Sequence, residues 1–91
     1  MPNQNEAVKK EVPQTDEIER IMISVWEKIL KISPINRESN YFELGANSLS
    51  IIKFVCELED RGHSFDLTPN DVFFHQNVLS LAASIRKKLA G

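Results

Sequence analysis

The chain has 91 residues, 42% of them apolar and 26% charged, with a formal net charge of −2. Those figures describe one ordinary globular domain with a modest core, since chains this short bury only about 60–65% of their unfolded surface, and an enzyme that needs a deep cleft does not fit. The slight acidity excludes the basic footprint of a nucleic-acid binder, no apolar run suits a membrane span or signal-peptide core, and one cysteine, Cys56, points to a reducing, cytoplasmic setting.

Met1 to Gln14 is polar, carries two prolines and shows no apolar period, which predicts a flexible leader and leaves 15–91 as the folded unit. Ile18, Ile21, Met22, Val25, Trp26 and Ile29 then recur at offsets 0, 3, 4, 7, 8 and 11, the stripe of an amphipathic helix. Thr15 or Asp16 is placed to cap it, with Glu19 at capping-box spacing from Asp16, and Ser33-Pro34 is placed to end it. Residues 32–47 form a long connection in which Ile35, Tyr41, Phe42 and Leu44 are apolar enough to pin an ordered loop to the core.

A second helix is expected from Asn47 or Ser48 to about Arg61. Its buried stripe is Ile51, Phe54, Val55 and Leu58, Leu49 and Ile52 fall to one side, and Gly62 ends it in a left-handed conformation. Phe65 and Leu67 alternate with polar neighbours as in a short extended stretch. Thr68-Pro69 reads as cap and first residue of a short helix through Phe74, and Asn77 as the cap of a last helix with the stripe Val78, Leu81, Ala82, Ile85 and Leu89. The sum is an all-α bundle of three longer helices and one short one.

Three chemistries find little support. Cys56, His63 and His75 match no zinc spacing, so no metal site is expected. Gly45-Ala46-Asn47-Ser48 is not the nucleophile elbow of a serine hydrolase, and so small a domain offers little with which to build an oxyanion hole. A recognition helix carrying Glu57, Glu59 and Asp60 against Lys53 and Arg61 would be repelled by phosphates. Residues 16–60 hold nine acidic side chains against five basic ones, a bias that suits basic partners or plain solvation.

The stretch Tyr41-Phe42-Glu43-Leu44-Gly45-Ala46-Asn47-Ser48-Leu49 is more specific. Taken structurally, Phe42 and Leu44 anchor a loop, Gly45 permits a turn and Ser48 caps a helix. Its order also resembles the phosphopantetheine attachment site of thiolation domains, the carrier proteins of nonribosomal peptide and polyketide synthases. Their pattern reads roughly F-F-E-L-G-G-x-S-L, and Phe42, Glu43, Leu44, Gly45, Ser48 and Leu49 fall in register. The resemblance extends over about residues 16–89, through Val25-Trp26-Glu27, Phe73 and Leu81-Ala82-Ala83-Ser84-Ile85. Ala46 replaces the second glycine, a small change if that position has ordinary dihedrals. Asn47 stands where peptidyl carriers commonly have histidine and fatty-acid-type carriers aspartate, so it does not divide the two, whereas Trp26 and Tyr41 to Leu44 lean towards peptidyl carriers.

The resemblance implies a small four-helix carrier bundle without catalytic activity of its own. It implies that Ser48 receives 4′-phosphopantetheine covalently from coenzyme A, through a separate phosphopantetheinyl transferase. The arm's thiol would hold aminoacyl, peptidyl or acyl groups as thioesters for adenylation, condensation, ketosynthase or thioesterase partners. Asn47, Leu49 and Ile52 are the partner-contact candidates on a monomeric chain, with neither nucleic acid nor membrane among its partners. The competing class is a helical adaptor that binds non-covalently, in which Ser48 is only a cap.

Overall fold

The computed structural model describes residues 15–63 and 65–90; the leader expected over 1–14 lies outside the described residues. Four helices follow in chain order: α1 over Thr15–Leu30, α2 over Ser48–Asp60, α3 over Pro69–Phe74 and α4 over Val78–Ala90. The described residues hold no strand. α1 is the central element, packing against both α4 and α2, and α2 carries α3.

α1 buries the predicted stripe: Ile18, Met22, Val25 and Trp26 are fully enclosed, each such side chain worth about 1.5–3 kcal/mol in transfer from water. Two details at its ends differ from expectation. The helix already begins at Thr15, so Thr15 and Asp16 lie inside its first turn, where Asp16 and Glu17 suit the dipole, and the capping position falls outside the described residues. Glu19 closes no capping box because it is buried and turned to the Arg37 guanidinium at 3.3 Å. The C-terminus comes at Lys31, ahead of Ser33-Pro34. There the backbone turns left-handed (φ 58°), with the Lys31 N–H still bonded to the Glu27 carbonyl at 2.9 Å.

The long connection is ordered and pinned as the apolar residues predict. Ile35 and Tyr41 are buried, and Phe42 and Leu44 pack against the core. Polar links complete the attachment. The Ile35 N–H donates to the Glu27 carboxylate (2.8 Å), the Leu79 N–H to the Arg37 carbonyl (2.9 Å) and the Tyr41 N–H to the Gln76 carbonyl (3.1 Å). At the heart of the core the Trp26 indole is sandwiched between Tyr41 and Phe54, with centroids 4.5 and 4.3 Å away and both pairs stacked.

α2 ends as predicted at Gly62, whose φ of 84° closes a Schellman turn: the Gly62 N–H bonds the Glu59 carbonyl (2.9 Å) and the His63 N–H the Leu58 carbonyl (2.8 Å). Glu57 braces α2 to α1. Lys28 at 2.9 Å and then Arg61 at 3.0 Å hold its carboxyl below the usual range, although pairs this exposed add little stability. The stretch after Gly62 is not extended. Phe65 and Asp66 both adopt left-handed dihedrals (φ 51° and 56°), a tight turn that still buries Phe65 and Leu67 and presents the Asp66 carbonyl to Lys88 at 3.1 Å.

Thr68 caps α3 in a reciprocal box with Asp71, and Pro69 occupies the first turn, as the sequence predicts. Burial works to raise the Asp71 pKa, but the Thr68 N–H and the Lys88 ammonium (3.0 Å) outweigh it and hold the carboxyl low. The Asn77 carboxamide accepts the Ser80 N–H at 2.8 Å, the capping bond expected for α4.

Candidate functional site

The chain from Tyr41 to Ser48 is a series of tight turns that delivers the start of α2. The Glu43 N–H bonds the Asn40 carbonyl, the Gly45 N–H that of Phe42, and the N–H groups of Leu44 and Ala46 converge on the Tyr41 carbonyl at 3.1 and 3.0 Å. Gly45 has φ 112°, a conformation a side chain would strain, so glycine is required there although a Cβ would meet no atom. Ala46 is not among the positive-φ residues, and its methyl group faces the core, which is why alanine serves where the carrier pattern has glycine.

Ser48 is not the cap of α2. Asn47 holds that position in an extended conformation (φ −141°), its side-chain oxygen accepting from the Ser50 N–H at 2.9 Å and the Ser50 hydroxyl at 3.1 Å. The Ser50 oxygen in turn accepts the Asn47 N–H at 3.2 Å. Ser48 is therefore the first helical residue. It is exposed, and its hydroxyl lies outside the capping network. The N–H groups opening α2, with the positive end of the helix dipole, give an anion attached at this point a favourable field. An exposed hydroxyl on an ordered helix start, with no other structural duty, fits a phosphodiester-linked arm.

The sequence leaves the helix start open between Asn47 and Ser48; the spacing of Asn47 and Ser50 is the signal that decides it, with serine in place of the Glu or Gln usual at the third position. An Asn47→Ala variant is expected to lose about 0.5–2 kcal/mol of stability. In a thermal melt that lowers Tm by roughly 4–8 °C per kcal/mol.

The other candidates separate clearly. Leu49 and Ile52 stand 62% and 48% exposed beside Ser48, off the buried stripe as expected. Phe73 projects from α3 and stacks on Phe42 with centroids 5.9 Å apart, and Phe74 beside it is 80% exposed, an apolar surface the sequence did not single out. Cys56 lies exposed on α2, His63 stacks on Phe65, and His75 hydrogen-bonds the Ser80 hydroxyl through Nδ1 at 2.7 Å. Among the described residues no group of three or more His, Cys, Asp or Glu could hold a metal ion. No helix among them is long and apolar enough to cross a membrane.

Comparison with known proteins agrees with this geometry. The family model described as "Phosphopantetheine attachment site" matches residues 20–85. A plipastatin synthase component of Bacillus subtilis (strain 168) is 29% identical over 86 residues, covering 94% of this chain and 3% of its own length. Chondramide synthase cmdD of Chondromyces crocatus is 38% identical over 64 residues, covering 70% of this chain and 2% of its own length. A linear gramicidin synthase component of Brevibacillus parabrevis is 36% identical over 72 residues, covering 79% of this chain and 1% of its own length. The chain thus spans only a few per cent of these curated relatives. No solved structure matches it.

The all-helical bundle and the family match together define a carrier domain of the phosphopantetheine-dependent kind. The chain belongs to the phosphopantetheine attachment site family, whose members bear 4′-phosphopantetheine covalently, and the relatives it matches over a small part of their length are named as synthases.

Proposed function

We propose that this domain, taken as residues 15–91, carries its phosphopantetheine arm on Ser48 and catalyses no reaction itself. It would hold aminoacyl or peptidyl groups for the partner enzymes of a cytoplasmic peptide-assembly pathway. The observation that carries the reading is the placement of Ser48: first residue of α2, exposed, with the cap held by its neighbours. In loading, the Ser48 oxygen forms the new bond to phosphorus, the P–O bond of the coenzyme A pyrophosphate breaks with adenosine 3′,5′-bisphosphate leaving, and the hydroxyl proton passes to a base of the transferase. The helix N-terminus stabilises the phosphodiester. The bound arm supplies a terminal thiol that holds cargo as a thioester. Trp26 and the Tyr41 to Leu44 stretch favour peptidyl cargo, as does the relative named as a linear gramicidin synthase.

Intact mass tests the assignment. After incubation with a broad-specificity phosphopantetheinyl transferase, magnesium and coenzyme A, the native chain should gain one phosphopantetheine and Ser48→Ala none. A folded native chain left unmodified, while a known carrier is modified in parallel, would favour the non-covalent adaptor.

Asn47, Leu49 and Ile52 form the partner contact in this reading. The two apolar side chains contact the transferase and downstream enzymes, and Asn47 places them by capping the helix. Leu49→Asp or Ile52→Asp should slow loading or transfer severalfold while circular dichroism stays native, because neither residue belongs to the core. Unchanged kinetics with both partners would remove the patch.

A further inference from the structure

We propose that Tyr41 is a positioning residue for the modification of Ser48, its phenolic hydroxyl locking the loop that ends at Ser48 to the C-terminal end of α3. This rests on Ser48 being the loaded residue.

Tyr41 joins four parts of the molecule. Its ring is buried against Trp26 of α1. Its hydroxyl donates to the Val72 carbonyl at 2.8 Å and lies against the carbonyl of His75, the residue that caps α3. Its N–H donates to the Gln76 carbonyl just beyond α3 (3.1 Å), and its own carbonyl receives the N–H groups of Leu44 and Ala46. The residue before the α2 cap is thus hung from the backbone carbonyl of the residue whose side chain closes α3. Burial holds the phenol well above its ordinary pKa, so it remains a donor across the working pH range.

The hydroxyl is surplus to packing. The carrier pattern has phenylalanine at this place, which would supply the ring and the Trp26 contact but not the bond. α3, at six residues, is too short to hold itself and depends on borrowed partners for its carbonyls. Its outer side carries Phe73 and Phe74, and Phe73 stacks on Phe42, the residue next to Tyr41. The lock therefore sets the distance between the Ser48 loop and this apolar surface. An enzyme that touches both meets a preorganised surface, and losing the lock charges the ordering to the binding step.

Tyr41→Phe is the test, because the ring stays and only the bond is lost. In steady-state loading with a phosphopantetheinyl transferase and coenzyme A, KM for the carrier should rise about fivefold with kcat within about twofold. Hydrogen exchange on the same chain should quicken roughly tenfold at Leu44 to Ala46 and at Val72 to His75 together. The slowest amides of α1 and α4 should not change. An unchanged KM overturns the proposal, as does loosening of only one of the two segments. Uniform acceleration of all amides also overturns it, since that marks a merely structural role. If the native chain takes no arm, the carrier assignment fails first and takes the positioning role with it, a result distinct from a native chain that loads and a variant that loads equally well.

Discussion

Ser48→Ala should take up no phosphopantetheine in an assay that loads the native chain to completion, while its melting curve overlays that of the parent. Both halves come from the start of α2. The hydroxyl is the only group at residue 48 able to form the bond to phosphorus, and alanine removes it completely. The same deletion would cost about 0.5–2 kcal/mol if Ser48 capped the helix. It does not: the capping bonds run between Asn47 and Ser50, and alanine is the best residue for a helix interior. The expected change is therefore within about 0.5 kcal/mol, the range of a surface substitution. A loss near 1 kcal/mol or more in chemical denaturation would show that the serine shares in the cap. Residual loading of Ser48→Ala would move the attachment to another hydroxyl, with Ser50 the nearest.

Trp26→Ala should be the most destabilising single change in the bundle, by about 3–5 kcal/mol. The indole is fully buried and stacked on both faces, by Tyr41 of the connection and Phe54 of α2. Its removal empties the junction where α1, the loop and α2 meet. A domain of this size has roughly 5–15 kcal/mol in hand, so urea titration should show a collapsed midpoint and, at the lower end of that range, an unfolded chain. Trp26→Phe should cost less than half as much. It keeps a ring between the two neighbours and also deletes the indole N–H, a buried donor with no hydrogen-bond partner among the described residues. Equal losses for the two variants would refute the stacking account.

The helices were legible because their signals are local and repeated. The stripes of α1, α2 and α4 face the core as their periods predict, with Ile21, Ile29, Val55 and Leu89 half-buried at its margin, and Thr68-Pro69, Asn77 and Gly62 act where their chemistry places them. The family was legible for a different reason: Phe42 to Leu49 matches an ordered pattern, not a single residue type, and the candidate site at Ser48 is read from that pattern. What escaped depends on contacts distant in sequence or on backbone turns with no residue signature. Lys31 and Phe65 adopt left-handed dihedrals although neither residue type favours them, so nothing in their identity announced a helix end or a turn, and Asp66, whose type tolerates that conformation, stood among residues that read as extended. Glu19 looked like a capping residue until Arg37, on the far connection, claimed its carboxylate. The Tyr41 hydroxyl finds acceptors more than thirty positions away, a partnership no periodicity encodes. Asn47 and Ser48 are adjacent in sequence, and only backbone dihedrals could decide which of them closes the helix.

The sandwich around Trp26 has an optical consequence. The chain has one tryptophan, so its long-wavelength emission comes from a single indole enclosed by one ring from the segment before Ser48 and one from the helix after it. Opening either flank admits water to the indole and shifts its colour to the red. The domain thus carries its own gauge of whether the platform beneath Ser48 is intact, readable without dye or label at the dilution used for loading assays.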